Sequence, residues 1–306
     1  MRFTDFYELY LFVSVNYNSN KGLIMLQKEI ILLIFLIVGV SCNQKPDEQA
    51  MIGKFNVKSD LFLAQFDCKT DVDDIHSVAG VATILADPRL SGVHFHVVAG
   101  TYGIQEGLYV PADTLFKTVF ANNWSDAHAD YNKALKEVTL LTSKTLKDGG
   151  NIWIAEAGQS DFTAALIKNI IDSHPDIETT KQIHVVQHSK WNENNTSPEN
   201  LAYVKANADY HKIPDGNVLD NGSPGFCSEE KINIQAHLKD PKVQKIWQLA
   251  METANRFNGK EERYNNPAIA KGGLDFSDVS ETCWIFGFNH LVNIDEFFRE
   301  FITSSN

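Results

Sequence analysis

The stretch that decides the fold is LFLAQF-DCKTDVDD, residues 61–74. Six residues, all apolar except Gln65, run into Asp67, and three further aspartates follow at 71, 73 and 74 before the chain turns apolar again. A short, nearly continuous apolar run has the signature of a strand buried on both faces. Beyond it, Ile75, Val78, Ala79, Ala82 and Leu85 recur at helical spacing. The pattern repeats downstream. Strands are expected at 93–99, 151–155 and 183–187, and helices at 115–120, 131–146, 161–171 and about 198–208. Strands alternating with helices imply an α/β fold, a Rossmann-like, mostly parallel sheet with helices on both faces. In such sheets the ligand site lies beyond the carboxyl ends of the strands. Four segments qualify, after Phe66, Ala99, Ala155 and Gln187, and all are dense in polar residues.

The rest of the chain bounds the function. Its 306 residues are 43% hydrophobic and carry a net charge of −12. That balance excludes nucleic acid polymers as the main partner, because phosphate binding needs a basic face. The 19 Phe, 9 Tyr and 5 Trp exclude an unfolded acidic tail. Four cysteines are too few for a disulfide framework and have no zinc-knuckle spacing. Residues 30–40, IILLIFLIVGV, form an apolar run too short to span a bilayer but suited to the core of a signal peptide. The following Ser41-Cys42 resembles a bacterial lipobox with Cys42 as the lipidated residue, although Gly39 stands where a branched apolar residue is usual. The expected organisation is an over-long start plus signal peptide over 1–42, a tether over 43–58, and a single domain over 59–306. The expected location is exported, in the periplasm or on the outer membrane, with a lipid anchor as the sole membrane contact.

The aspartate loop carries the chemistry. Four like charges in eight residues repel unless a cation or hydrogen bonds neutralise them, and clustered carboxylates are the usual ligands of hard cations such as calcium. A helix N-cap accounts for Asp73 or Asp74; it does not account for Asp67 at the end of an apolar strand.

The spacing D-x-x-x-D-x-D-D, met by Asp67, Asp71, Asp73 and Asp74, resembles the first loop of a divergent, exported bacterial branch of the nucleoside-hydrolase-like family. The similarity extends over roughly residues 60–289 and is strongest in this loop. It implies Ca2+ held by Asp67 and Asp74, with Asp71 or Asp73 facing the substrate hydroxyls or the attacking water. Thr101 stands where the family has an Asn beside the sugar. In residues 156–163 the family offers the metal a backbone carbonyl, for which Ser160 is the candidate. The loop 188–195 supplies Trp191, Asn192 and Glu193 as sugar contacts, and His188, with an ordinary pKa near neutrality, is a candidate proton donor. Late in the family a His-Asp pair closes the metal site. Here Asp278 is placed to be that ligand, Asp275 is an alternative, and Ser277 replaces the His.

These readings lead to an exported, calcium-dependent hydrolase of an N-ribosyl or O-glycosidic bond, acting on a small sugar or nucleoside-like substrate, with a homo-oligomer allowed. The alternative is a non-catalytic carbohydrate-binding module on the same fold. A phosphatase of the haloacid-dehalogenase type is disfavoured, because its D-x-D loop would need an aspartate at Lys69. The turn-rich stretch 215–226 has the length of a lid and no assigned chemistry.

Overall fold

The computed structural model describes residues 50–301; the expected signal peptide and Cys42 lie outside them. Six strands form one parallel sheet: β1 (Leu61–Phe66), β2 (His94–Ala99), β3 (Trp124–Asp126), β4 (Ile152–Ala157), β5 (Ile183–Gln187) and β6 (Asp209–Lys212). Their spatial order is β3-β2-β1-β4-β5-β6, and all five pairings are parallel. This is the Rossmann-like arrangement expected from the alternating pattern. The chain runs outward from β1 in one direction, then crosses back to start again at β4. The crevice between the carboxyl ends of β1 and β4 is therefore the topological switch point.

Side-chain alternation divides the core in two. Phe62, Ala64 and Phe66 of β1, with Trp153 and Ala155 of β4, face one side. There they pack under α1 (Asp73–Leu85), α6 (Pro241–Phe257) and α7 (Ser280–Phe286). Leu61 and Leu63, with Ile152, Ile154, Ile183 and Val185, face the other side. The helices covering that side are α3 (Tyr131–Lys147), α4 (Asp161–Ser173) and α5 (Pro198–Asn207). A further helix, α2 (Asp113–Phe120), follows the second strand loop and buries Leu115, Phe116 and Phe120.

Two strands and one long helix were not expected. β3 and β6 are edge strands of three and four residues with polar sequences, WSD and DYHK, that carry no apolar run. By contrast α6 does carry a signal: Asp240 caps it, Pro241 opens it, and Val243, Trp247, Ala250 and Ala254 form its buried stripe.

The tether ends earlier than expected. Residues 51–56 form a small antiparallel hairpin, Met51–Ile52 with Phe55–Asn56, and its Phe55 is fully buried against Phe286 of α7. The hairpin is locked to the sheet by Asp60, which is buried just before β1. Its carboxylate accepts from the backbone N–H groups of Asn56 and Asn151 and from Trp153 Nε1, at 2.9, 3.0 and 3.1 Å. Removing this acceptor strands one buried donor, Trp153 Nε1, and two half-buried backbone N–H groups, at about 1–3 kcal/mol for each that finds no water. Asp60→Ala is therefore expected to destabilise the protein by about 3 kcal/mol, read as a fall in denaturant midpoint with an unchanged slope.

Candidate functional site

The aspartate loop leaves β1 at the switch point and is held in an unusual shape. Cys68 and Thr70 adopt φ values of 50° and 65°, a region non-glycine residues enter only under constraint. The constraint comes from two neighbouring segments. Thr70 N–H donates to the Leu108 carbonyl at 3.0 Å, Val110 N–H to the Cys68 carbonyl at 2.7 Å, and Tyr264 N–H to the Thr70 carbonyl at 3.0 Å. Lys69 bonds the Gln105 carbonyl through its ammonium and accepts from Gln105 Nε2 through its own carbonyl.

Within that frame the carboxylates converge. Asp67, Asp71, Asp73, Asp74 and Asp278 all line one cleft of about 880 Å³, together with His188, Trp191, Asn192, Asn217 and Tyr264. Asp73 and Asp74 start α1, where the helix dipole favours them. Asp74 Oδ2 accepts from Cys68 N–H at 2.5 Å, while its Oδ1 is buried with no partner. Asp67 is held by Lys69 N–H at 2.7 Å and Gln159 Nε2 at 2.8 Å. Asp278 reaches the cleft from a turn of 3-10 helix and accepts from Ser77 Oγ of α1 at 3.2 Å.

Crowding shows in the acidities. Burial, against the pull of hydrogen bonds, raises Asp67 to about 6. Burial and the neighbouring charge of Asp275 raise Asp71 to about 7. Asp73 and Asp74 are pushed up strongly, by burial first and then by the charges of Asp71 and Asp67 respectively and of Asp278; Asp278 is pushed up by burial against the opposing charge of His188. The same burial and charge keep the Cys68 thiol protonated. An unpartnered buried carboxylate oxygen amid acidic neighbours, all hard oxygen donors, fits a divalent cation of the calcium class. The loop is not drawn into a closed cage. Among the described residues, the three-residue group whose ligand atoms lie within 4.8 Å of one another is elsewhere, at His184, Asp209 and His211.

His188 directly follows β5 and lies beside the aspartate cluster. Its Nδ1 and its backbone N–H both meet Glu281 Oε1, at 2.6 and 2.8 Å, and its Nε2 lies 3.8 Å from Asp278 Oδ1. Burial opposes its charge, but the Glu281 and Asp278 carboxylates outweigh burial and raise it to about 9. The imidazole is thus charged at neutral pH and presents its Nε2 side to the carboxylate cluster.

Other expected residues fall away from the cleft. Thr101 is fully buried beneath the switch point and does not line the cavity. Ser160 is also buried. Its carbonyl accepts from Ala164 N–H at 2.8 Å as the first bond of α4, and its hydroxyl donates to Glu156 at 2.7 Å, so it offers nothing to a metal. Glu193 turns to Lys205, Lys212 and Tyr210, at 2.7, 3.3 and 3.0 Å, instead of to the cavity. Asp275 is tied to Asn266 Nδ2 at 2.8 Å and stands behind Asp71. Ser277 is buried with no partner for its hydroxyl. Cys227 and Cys283 are free thiols.

Two organising residues were missed. Gln159 is fully buried and donates from Nε2 to both Asp67 and Asn192, at 2.8 and 3.2 Å, while its Oε1 accepts from Gly103 N–H at 3.0 Å. It joins the loops after β1, β2, β4 and β5. Glu281, fully buried, fixes His188. The signal available for Gln159 was a polar amide directly after the apolar β4 and Gly158; for Glu281 it was an acid inside an apolar helix.

Compared with family models, with curated proteins and with solved structures, the chain matches none.

The raised acidities set a pH dependence. Asp67 and Asp71 shift from 3.8 when unfolded to about 6 and 7 when folded, so the folded state binds more protons across that window. The stability they confer is complete below about pH 4 and is lost as the pH rises through 6 and 7. In the presence of a chelator, stability is expected to fall between pH 5 and 8 by on the order of 4 kcal/mol. Asp74→Asn should flatten that fall, and saturating calcium should reverse it; thermal melts across pH read all three.

Proposed function

We propose that the protein is a calcium-dependent hydrolase of a glycosidic bond, N-ribosyl or O-glycosidic, in a small sugar or nucleoside-like substrate. The observation that carries this reading is one cleft at the switch point lined by five aspartates and by His188, whose Nε2 lies 3.8 Å from Asp278 and whose Nδ1 is held from behind by the buried Glu281. Its volume, about 880 Å³, suits a small molecule. A wall of carboxylates repels phosphates, which sets aside the nucleotide cofactors that this strand order commonly binds. The spacing of the four loop aspartates, similar to that of the nucleoside-hydrolase-like family, supports the same reading.

Asp67, Asp74 and Asp278 are the residues that would hold the cation. A bound calcium-class ion supplies Lewis acidity toward a sugar diol and a water of lowered pKa. Asp71, raised to about 7, accepts a proton near neutral pH, with Asp73 as the neighbouring alternative. The anionic loop also stabilises positive charge developing at an anomeric carbon. His188, beside Asp278 at the margin of the cluster, carries a proton for the leaving group, and Glu281 holds its ring in place through Nδ1. Trp191 at the rim is 58% exposed and offers an apolar face to a sugar or base ring, beside the Asn192 amide that Gln159 orients.

Ser277 favours a second reading, a binding module without turnover. It stands where the family has a proton-donating His, and a serine hydroxyl is no general acid near neutral pH. Export with a lipid anchor remains part of the proposal through residues 30–42. Among the described residues no helix is long and apolar enough to cross a membrane.

Nucleosides and aryl glycosides should be hydrolysed in calcium, with kcat/KM lost by at least about 100-fold in chelator or in Asp74→Asn. His188→Gln is expected to slow substrates with poor leaving groups by about 100-fold and to spare activated aryl leaving groups. Saccharide or nucleoside binding with no product in any of them would establish the binding module instead.

A further inference from the structure

A second cluster of ligating side chains sits apart from the cleft, on the two outermost strands at one edge of the sheet. His184 of β5 is the register partner of Asp209 on β6, and His211 follows two residues later, opposite Val186. With side chains alternating along each strand, all three stand on one face. His184 Nδ1 lies 2.7 Å from Asp209 Oδ2, and His211 Nε2 lies 2.8 Å from the same oxygen. These three atoms all fall within 4.8 Å of one another. His188, at the cleft, is four residues farther along the chain, just past the end of β5, about 13 Å away at the usual strand rise per residue.

We propose that His184, Asp209 and His211 form a binding site for a borderline transition dication of the zinc class, distinct from the carboxylate cleft. The donor set differs in kind from that of the cleft. Two imidazoles and one carboxylate suit zinc, nickel or copper, whereas an all-oxygen set suits calcium or magnesium. Three protein ligands with a fourth position open to solvent is a recurrent zinc geometry. The side chains of His184, Asp209 and His211 are 14%, 40% and 31% exposed, which leaves an entry path.

The rings are already aimed. Trp153 stacks on His184 with centroids 4.0 Å apart and planes 17° from parallel, and Trp284 packs on His211 at 4.8 Å. Ligand bonds of about 2.0–2.1 Å place the donor atoms of a tetrahedral site roughly 3.3 Å apart. The two histidines then need to draw back from Asp209 by about half an ångström, a side-chain adjustment that leaves the strands in place. The bound ion would cross-link edge strand β6 to β5, and its position against Trp153 gives it an optical signature.

The full, untagged chain should be titrated with zinc chloride against a chromogenic chelator, in millimolar calcium to occupy the oxygen donors of the cleft. One equivalent of zinc is expected to bind at micromolar Kd or tighter, weakened at least tenfold by His211→Ala and by Asp209→Asn and unchanged by Asp74→Asn. Copper(II) should quench the wild-type tryptophan fluorescence at one equivalent, and far-ultraviolet circular dichroism establishes that each variant is folded. Zinc binding that is absent from the wild type overturns the proposal and leaves the cluster a hydrogen-bonded ion triad. Binding that survives both edge-strand substitutions, or is lost with Asp74→Asn, overturns it equally and assigns the ion to the carboxylate cleft. The wild-type titration decides alone if both edge-strand variants fail to fold.

Discussion

Like charges cannot share a low-dielectric crevice without compensation, and the switch point of this fold gathers five aspartates. Much of the surrounding architecture supplies partial compensation. The amino end of α1 faces Asp73 and Asp74, backbone N–H groups of Cys68 and Lys69 turn toward Asp74 and Asp67, and Gln159 spends its amide on Asp67. What these donors leave uncompensated, including the bare Oδ1 of Asp74, is electrostatic work available to a ligand of positive charge.

The same constraint explains why the loop is strained. A relaxed turn would let the carboxylates spread into solvent. Here the left-handed backbone at Cys68 and Thr70, pinned by the segments around Leu108 and Tyr264, keeps them converging. Strain held by hydrogen bonds elsewhere in the fold is a common property of preorganised sites. Gly158 contributes through what it lacks, since a β-carbon there would lie 2.6 Å from Thr101 Oγ1 and 3.1 Å from Asp67 N. Any larger residue would push against Thr101 and the start of the aspartate loop, where the segments after β1, β2 and β4 meet.

The fold was legible because its central strands announce themselves. Leu61–Phe66 and Ile152–Ala157 are buried on both faces, so burial writes a nearly unbroken apolar run into the sequence. The edge strands β3 and β6 bury little and therefore leave no such run. In the site, residues that follow a strand directly were visible, as with Asp67 and His188. Thr101 and Ser160 were misplaced because position after a strand does not fix which way a side chain points. Thr101 turns under the sheet edge, and Ser160 is consumed by the start of α4. Glu193 was drawn away by Lys205, a partner on a different helix. Gln159 and Glu281 act through contacts spanning 92 and 93 residues, and no local pattern encodes such pairs.

The cleft is also a long-range object. Asp278 meets Ser77 across a separation of 201 residues, and Asn266 meets Asp71 across 195. Contacts of that span carry the largest loop-closure cost and form late. During synthesis the aspartate loop and α1 emerge long before the segment that completes the constellation. The nascent chain thus carries four of the five aspartates through most of its translation. The cleft is accordingly completed only at the last docking step, and capture of the proposed ion would mark the completion of folding.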